Sequence, residues 1–237
     1  MEHINLGEIV VDVVLKDIKN IHLSVYPPEG HVRIAAPQRM DLDTIRIYAI
    51  SKLGWIKRQQ KKFREQVREA PREYLNKESH YYLGKRYMLR VIELDATPKV
   101  QLRHTTINLQ VRPNSDIHKK HEVLETWYRE RLKELTPAII QKWEKIMGVS
   151  PNEFSVKKMR TKWGTCNCEA KRIWLNLELA KKPYQCIEYI VVHEMAHLLE
   201  RSHNSNFVAI MDHYLPEWKQ LKSELNKLPV SHVDWEY

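Results

Sequence analysis

The sequence predicts an α+β fold in two parts. The first, residues 1–115, is an N-terminal antiparallel β-rich region with a helix. The second, residues 116–237, combines a small sheet with several helices, one of which carries the chemistry. Three observations predict this. Short β-branched runs crowd the first half, helical periodicity takes over after Pro113-Asn-Ser-Asp, and an apolar helix carries His193-Glu-Met-Ala-His197.

Taken in order, residues 8–15, Glu-Ile-Val-Val-Asp-Val-Val-Leu, read as a strand, and Ile21-His-Leu-Ser-Val-Tyr alternates as a second. Pro27-Pro-Glu-Gly30 is a turn, and 31–37 alternates as a third strand, giving an antiparallel meander with one wet face. Asp41 then N-caps a helix expected to reach about residue 70, bent near Gly54, with Ile45, Ala49, Leu53 and Ile56 on its apolar face. Strand signals return at 81–93 around Gly84, and a hairpin is expected from 99–103 and 106–112. Pro113-Asn-Ser-Asp reads as a linker, so the domain boundary is placed near 115. A helix from Ile117 to about Met147 follows, with Pro137 kinking or dividing it and Gly148 as its cap. Strands are expected at 154–160 and 172–177, and helices at 205–214 and 218–225. No long repeat or low-complexity segment is evident.

Composition narrows the function. A hydrophobic content of 43% supports a real core. No run of apolar residues is long enough to cross a membrane, and the N-terminus lacks the apolar stretch of a signal peptide. Cys166, Cys168 and Cys186 form an odd set, which fits free thiols in a reducing cytoplasm. Cys166-Asn-Cys168 is half a metal site with no second pair to complete it, so structural thiols are the expectation. Lys and Arg total 39 against 30 Asp and Glu, a net charge of +9. That balance favours anionic partners such as nucleotide or nucleic acid. Lys57, Arg58, Lys61, Lys62, Arg64 and Arg68 form a basic run, but Glu65 and Glu69 interrupt it and no DNA-reading motif accompanies it.

The helix pitch explains the histidine pair. Each residue advances about 100°, so His193 and His197 leave one face roughly 40° apart. Glu194 points to the side of that face, where its carboxylate can act as a base towards water on a metal without ligating the ion. A third ligand is needed. On a rigid helix His203 would lie about 240° round the axis from His197, so the helix must end before Ser202. Metzincins turn at this point with a Gly, where this chain has Glu200. Ser202 and Asn204 are turn or N-cap candidates. His203 is the leading third ligand, and Asp212 and Glu217 are the carboxylate alternatives.

Beyond the helix, Arg160-Thr-Lys-Trp-Gly-Thr-Cys, Ile173-Trp-Leu-Asn-Leu, Tyr189-Ile-Val-Val-His-Glu-Met-Ala-His-Leu, His203-Asn-Ser-Asn-Phe and Leu215-Pro-Glu-Trp-Lys occur in that order. Together with the N-terminal strands and Gly54-Trp-Ile, the chain resembles the YgjP-like metallopeptidase family of zincins. The resemblance implies a zincin-like catalytic domain, a Zn²⁺ site at His193, His197 and His203, and Glu194 as base. It also implies a sheet edge beside the metal helix, where Trp163-Gly-Thr-Cys would meet an extended peptide; the competing role for Gly164 is a bulge and for Trp163 the core. The expected activity is metal-assisted hydrolysis of a peptide or protein, with Arg160, Lys162 and Tyr189 as candidates to steady the oxyanion. Two other functions are weighed against it: a metal-dependent nucleoside triphosphate pyrophosphohydrolase, which no P-loop supports, and a nucleic-acid-associated SprT-like protease or binding module.

Overall fold

A computed structural model describes residues 2–27, 29–65, 72–159 and 161–229. The chain divides into two compact units, 1–67 and 68–237.

The first unit is a four-stranded sheet with two helices. Its strands are β1 (Glu2–Leu6), β2 (Ile9–Lys16), β3 (His22–Tyr26) and β4 (His31–Pro37), in the order β1-β2-β4-β3. The β1–β2 and β3–β4 pairs are antiparallel, but β2 and β4 run parallel. The sheet is therefore mixed and not a simple meander, because β3 returns to β4 from the outer side. Period-two alternation buries Val11 and Val13 of β2 with Val32, Ile34 and Ala36 of β4. Against this face pack Ile45 and Ala49 of α1 (Leu42–Ser51) and Ile56 of α2 (Leu53–Glu65). Asp41 caps α1, its carboxylate accepting from the Thr44 amide at 2.7 Å, an interaction worth about 1 kcal/mol. The break between the helices falls at Lys52, two residues before the expected bend, and the continuation beyond residue 65 lies outside the described residues. Gly30 has φ +86°, and a Cβ there would sit 2.5 Å from Gln60 Cγ. The Gln60 amide donates to the Gly30 carbonyl at 2.9 Å, docking α2 on the β3–β4 turn.

The second unit opens with the same plan. Strands β5 (Ser79–Tyr82), β6 (Lys85–Glu93), β7 (Lys99–Leu102) and β8 (Thr106–Val111) take the order β5-β6-β8-β7. Again the inner pair is parallel and the outer pairs antiparallel. The correspondence extends to detail. Leu6-Gly7 and Leu83-Gly84 make the first turns, with both glycines at positive φ. Asp41 and Asp116 each cap the following helix through the amide three residues on. A repeat hidden in the sequence thus emerges as a repeat of topology.

Leu89, Ile107, Leu109 and Val111 share one core with Leu124, Trp127 and Leu132 of α3 (Ile117–Met147). The compact break accordingly falls between 67 and 68, and the segment at 115 is a capped turn within one unit, with Asn114 at φ 61°. Helix α3 continues through Pro137 as one element and ends at Gly148, whose left-handed backbone lets its amide reach the Glu144 carbonyl. A three-stranded sheet follows, with β9 (Glu153–Lys157), β10 (Gly164–Asn167) and β11 (Arg172–Asn176) in the order β10-β11-β9. After a 3₁₀ turn, Leu177–Lys181, come α4 (Tyr184–Ala196), α5 (Ser205–Tyr214) and α6 (Trp218–Lys227). Helix α4 is buried almost all round, with Cys186, Ile187, Ile190, Val191, Val192, Met195 and Ala196 inside the core. Trp143 Nε1 and Lys142 of α3 both donate to Glu188, at 2.8 and 2.6 Å, fixing α4 about its axis.

Candidate metal centre

The last turn of α4 delivers two imidazoles and the chain turns to bring a third. His193 lies within the helix, and His197 is its C-cap. The turn is made without glycine: the Leu199 and Glu200 amides both donate to Ala196 O, and the Ser202 amide donates to the Glu200 carboxylate at 3.0 Å. Asn204 then N-caps α5, its side chain accepting from the Phe207 amide at 3.0 Å. The helix therefore ends where the third histidine requires it to.

His193, His197 and His203 present ring nitrogens that all lie within 4.8 Å of one another. His203 Nε2 faces His193 Nε2 at 3.0 Å. His197 Nδ1 lies 3.2 Å from the Glu200 carbonyl, and donation there leaves Nε2 with its lone pair. Burial, and then the neighbouring His197 and His203, hold His193 down to a pKa of about 3, so its ring is neutral. Burial also lowers the pKa of His203. Three imidazoles converging in this way fit a zinc-type ion, whose bonds to nitrogen are about 2.0–2.1 Å. The two carboxylate alternatives stand elsewhere. Asp212 is exposed and accepts from Trp218 Nε1 at 2.7 Å, and Glu217 is an exposed residue at the start of α6.

Phe207 forms the floor of the cluster. Its ring stacks on His197 at 4.6 Å between centroids and meets His193 and His203 edge-on at 5.0 and 4.8 Å. The sequence reading gave Phe207 no role of its own. Its signal was position: three residues after the Asn204 cap, on the first turn of α5, it must face back towards His203.

Glu194 is 4% exposed. Burial raises its pKa to about 8, with the Lys162 charge pulling the other way. Its carboxyl lies against Gly164 of β10, where a Cβ would come within 2.6 Å of Oε1, 2.8 Å of Cγ and 2.9 Å of Cδ. Gly164 is thus neither a spacer nor a bulge: its missing side chain is the space that Glu194 fills. Trp163 packs on the core, with Lys182 Nζ 5.6 Å from its ring centroid. Strand β10 is an edge strand, paired on one side to β11.

Buried Asn176 holds the approach to that edge. Its Nδ2 donates to the carbonyls of Met159 at 2.9 Å and Lys162 at 2.7 Å, and its amide donates to Trp163 O. Of the three oxyanion candidates, Lys162 is exposed and its charge acts on Glu194, Tyr189 is buried with its ring 5.9 Å from His193, and Arg160 lies outside the described residues.

A metallopeptidase is the class of protein this chain represents. It belongs to the YgjP-like family, whose metallopeptidase domain matches residues 19–228. Two solved structures are similar over 40% of this chain. One is the metallopeptidase zymogen abylysin of Pyrococcus abyssi, with 18% identity over 90% of that chain and a TM-score of 0.34. The other is the metallopeptidase zymogen jannalysin of Methanocaldococcus jannaschii, with 20% identity over 92% of that chain and a TM-score of 0.32. No curated protein matches the sequence. Among the described residues no helix is long and apolar enough to cross a membrane.

Proposed function

We propose that the protein is a zinc-dependent peptidase in which His193, His197 and His203 hold the ion and Glu194 is the general base. The observation that carries this reading is the convergence of three ring nitrogens beside a buried carboxylate that none of them engages. When bound, zinc supplies Lewis acidity, lowering the pKa of water and polarising the scissile carbonyl.

The chain's own residues do the rest. Glu194 is held by Gly164 and the surrounding core so that its carboxylate takes a proton from water and returns it to the leaving amine. The raised affinity of Glu194 for a proton suits it to that exchange. Among the described residues β10 pairs only with β11, so its other edge would offer main-chain donors and acceptors to an extended peptide lying alongside α4. Lys162, whose carbonyl is held by Asn176 and whose charge is felt by Glu194, is a cation available among the described residues to meet developing negative charge. Three free cysteines suit a reducing cytoplasm.

The nucleotide and nucleic-acid readings receive less support. The exposed Lys57, Arg58, Lys61, Lys62 and Arg64 of α2 make a basic surface, but Lys61 lies 3.7 Å from Glu65 and nothing there is shaped to read a base.

The test is elemental analysis of the purified protein together with a peptide-library cleavage screen and a phosphate-release assay on nucleoside triphosphates. One zinc per chain and peptide cleavage are expected. Phosphate release without peptide cleavage would replace the peptidase by the nucleotide hydrolase.

A further inference from the structure

Strand β7 is the outer strand of its sheet and, among the described residues, pairs only with β8. The Arg103 amide donates to Thr106 O at 2.8 Å, which closes the hairpin. Antiparallel bonds recur at every second pair, so Gln101 and Lys99 also spend their main-chain groups on β8. The amides and carbonyls of Val100 and Leu102 therefore point out of the sheet edge. Beyond them a groove of about 670 Å³ runs between β7 and the first half of α3, lined by Val100, Leu102, Val123 and Trp127. Val100 and Val123 pack on the core, whereas Leu102 is 39% exposed. In the first unit the matching strand β3 is met by α2, and Gln60 seals its turn. Helix α3 runs on as one element and sends no second arm back to β7.

We propose that this groove takes an extended segment of another protein, added to β7 as a further strand, whose side chains alternate acidic and apolar. Both halves of that pattern come from the alternation of β7 itself. The incoming strand exchanges main-chain bonds with Val100 and Leu102. Its side chains beside those two residues fall on the face that looks to Val123 and Trp127, so they are apolar. Its side chains beside Lys99, Gln101 and Arg103 fall on the other face, where all three are exposed. Acidic residues there meet two cations.

Charge favours this occupant over a second copy of the chain. On the helix flank Glu122 is paired with Lys119 at 2.8 Å, and Arg131 with Glu134. Lys99 and Arg103 then outweigh Glu130 along the groove, in a chain of net charge +9. A second β7 added antiparallel would set Lys99 against Arg103 twice, and like charges directly opposite destabilise a sheet. The histidine cluster and Glu194 take no part in the groove, so docking here is independent of the zinc-peptidase reading.

The probe is a fluorescent peptide, Ser-Glu-Val-Glu-Val-Glu-Ser, titrated with the full-length protein and followed by anisotropy, with its integrity checked by mass spectrometry. Saturable binding is expected, and methylating the two valine nitrogens should weaken it about tenfold or more. Leu102→Pro removes an outward amide without touching the β8 ladder and should weaken binding likewise. The exposed pair Lys99→Glu and Arg103→Glu decides the matter even if the proline variant does not fold. That double variant should lose the acidic peptide and bind Ser-Lys-Val-Lys-Val-Lys-Ser instead. No saturation up to about 1 mM, equal binding of the methylated peptide, or binding that the double variant leaves unchanged would overturn the site. A dimer seen in sedimentation and abolished by Leu102→Pro would also overturn it, because the edge would then belong to a second copy.

Discussion

His193 Nε2 and His203 Nε2 face each other at 3.0 Å, although ten residues and a helix end separate them in sequence. A cation held by both would let the two nitrogens keep their lone pairs at that distance. His203→Ala removes one of the three proposed ligands while leaving the helix cap at Asn204 intact. The purified variant should contain well under one zinc per chain, with its fold unchanged by circular dichroism. Stoichiometric, tightly held zinc in this variant would remove His203 from the ligand set.

Glu194→Gln keeps shape and burial but cannot accept a proton. Peptide hydrolysis should fall by about 10²–10⁴ with zinc retained. Loss of zinc instead would make Glu194 a ligand or a support for one. Full activity with zinc in place would send the proton elsewhere.

Gly164→Ala tests the packing of the base. The added methyl meets Oε1, Cγ and Cδ of Glu194 together, so the whole carboxyl must move. A displacement of about 1 Å at a catalytic group costs up to roughly 10²-fold in rate. The loss should appear in kcat with zinc content unchanged. An alanine variant as active as the parent would show that Glu194 has room to spare.

Glu125 on α3 lies 2.6 Å from Lys158 and 3.0 Å from His121. Burial alone would raise its pKa, but the hydrogen bonds from His121 and Lys158 prevail and lower it to about 2. A carboxyl lowered on folding stabilises above its unfolded pKa, and that stability is lost as pH falls through the window from about 4.5 to about 2. Glu125→Gln should therefore destabilise by about 1–3 kcal/mol at neutral pH and by much less near pH 3, as read from urea midpoints. An equal loss at both pH values would mean that the charge contributes nothing.

The sequence revealed local features well and spatial partners poorly. His193, Glu194 and His197 were legible because helix pitch alone places them, and Asn204 because a cap must start α5. Asp41 and Gly148 were legible for the same local reason. Strand β10 was not, since four residues containing Gly and Asn carry little strand signal and their partner is supplied by β11. The role of Gly164 depends on Glu194, thirty residues on in the sequence but adjacent in space, and no periodicity links them. The boundary expected near 115 rested on Pro, Asn, Ser and Asp, which a capped turn and a flexible linker share, whereas the compact units divide between 67 and 68. Only the burial of Leu109 and Val111 with Leu124 distinguishes the two. The parallel β2–β4 pairing was hidden because alternation reports which face is buried and says nothing about strand direction.

The doubled strand order has a consequence for how the chain folds. In each unit two hairpins close locally, β1 with β2 and β3 with β4, then β5 with β6 and β7 with β8. Each four-stranded sheet is completed along a single parallel seam, which sets Val11 beside Val32 in one and Leu89 beside Ile107 in the other. Hairpins form within about 1–10 μs, whereas the seam must wait for the intervening loop to be drawn in. The two seams are thus expected to be the late events, with the hairpins already present in the transition state. Truncating Val32 or Ile107 to Ala should mainly speed unfolding, and truncating a turn-flanking residue such as Leu6 or Leu83 should mainly slow folding, as read from the two arms of a chevron plot. The reverse pattern would place the seam first and make each sheet grow outward from its centre.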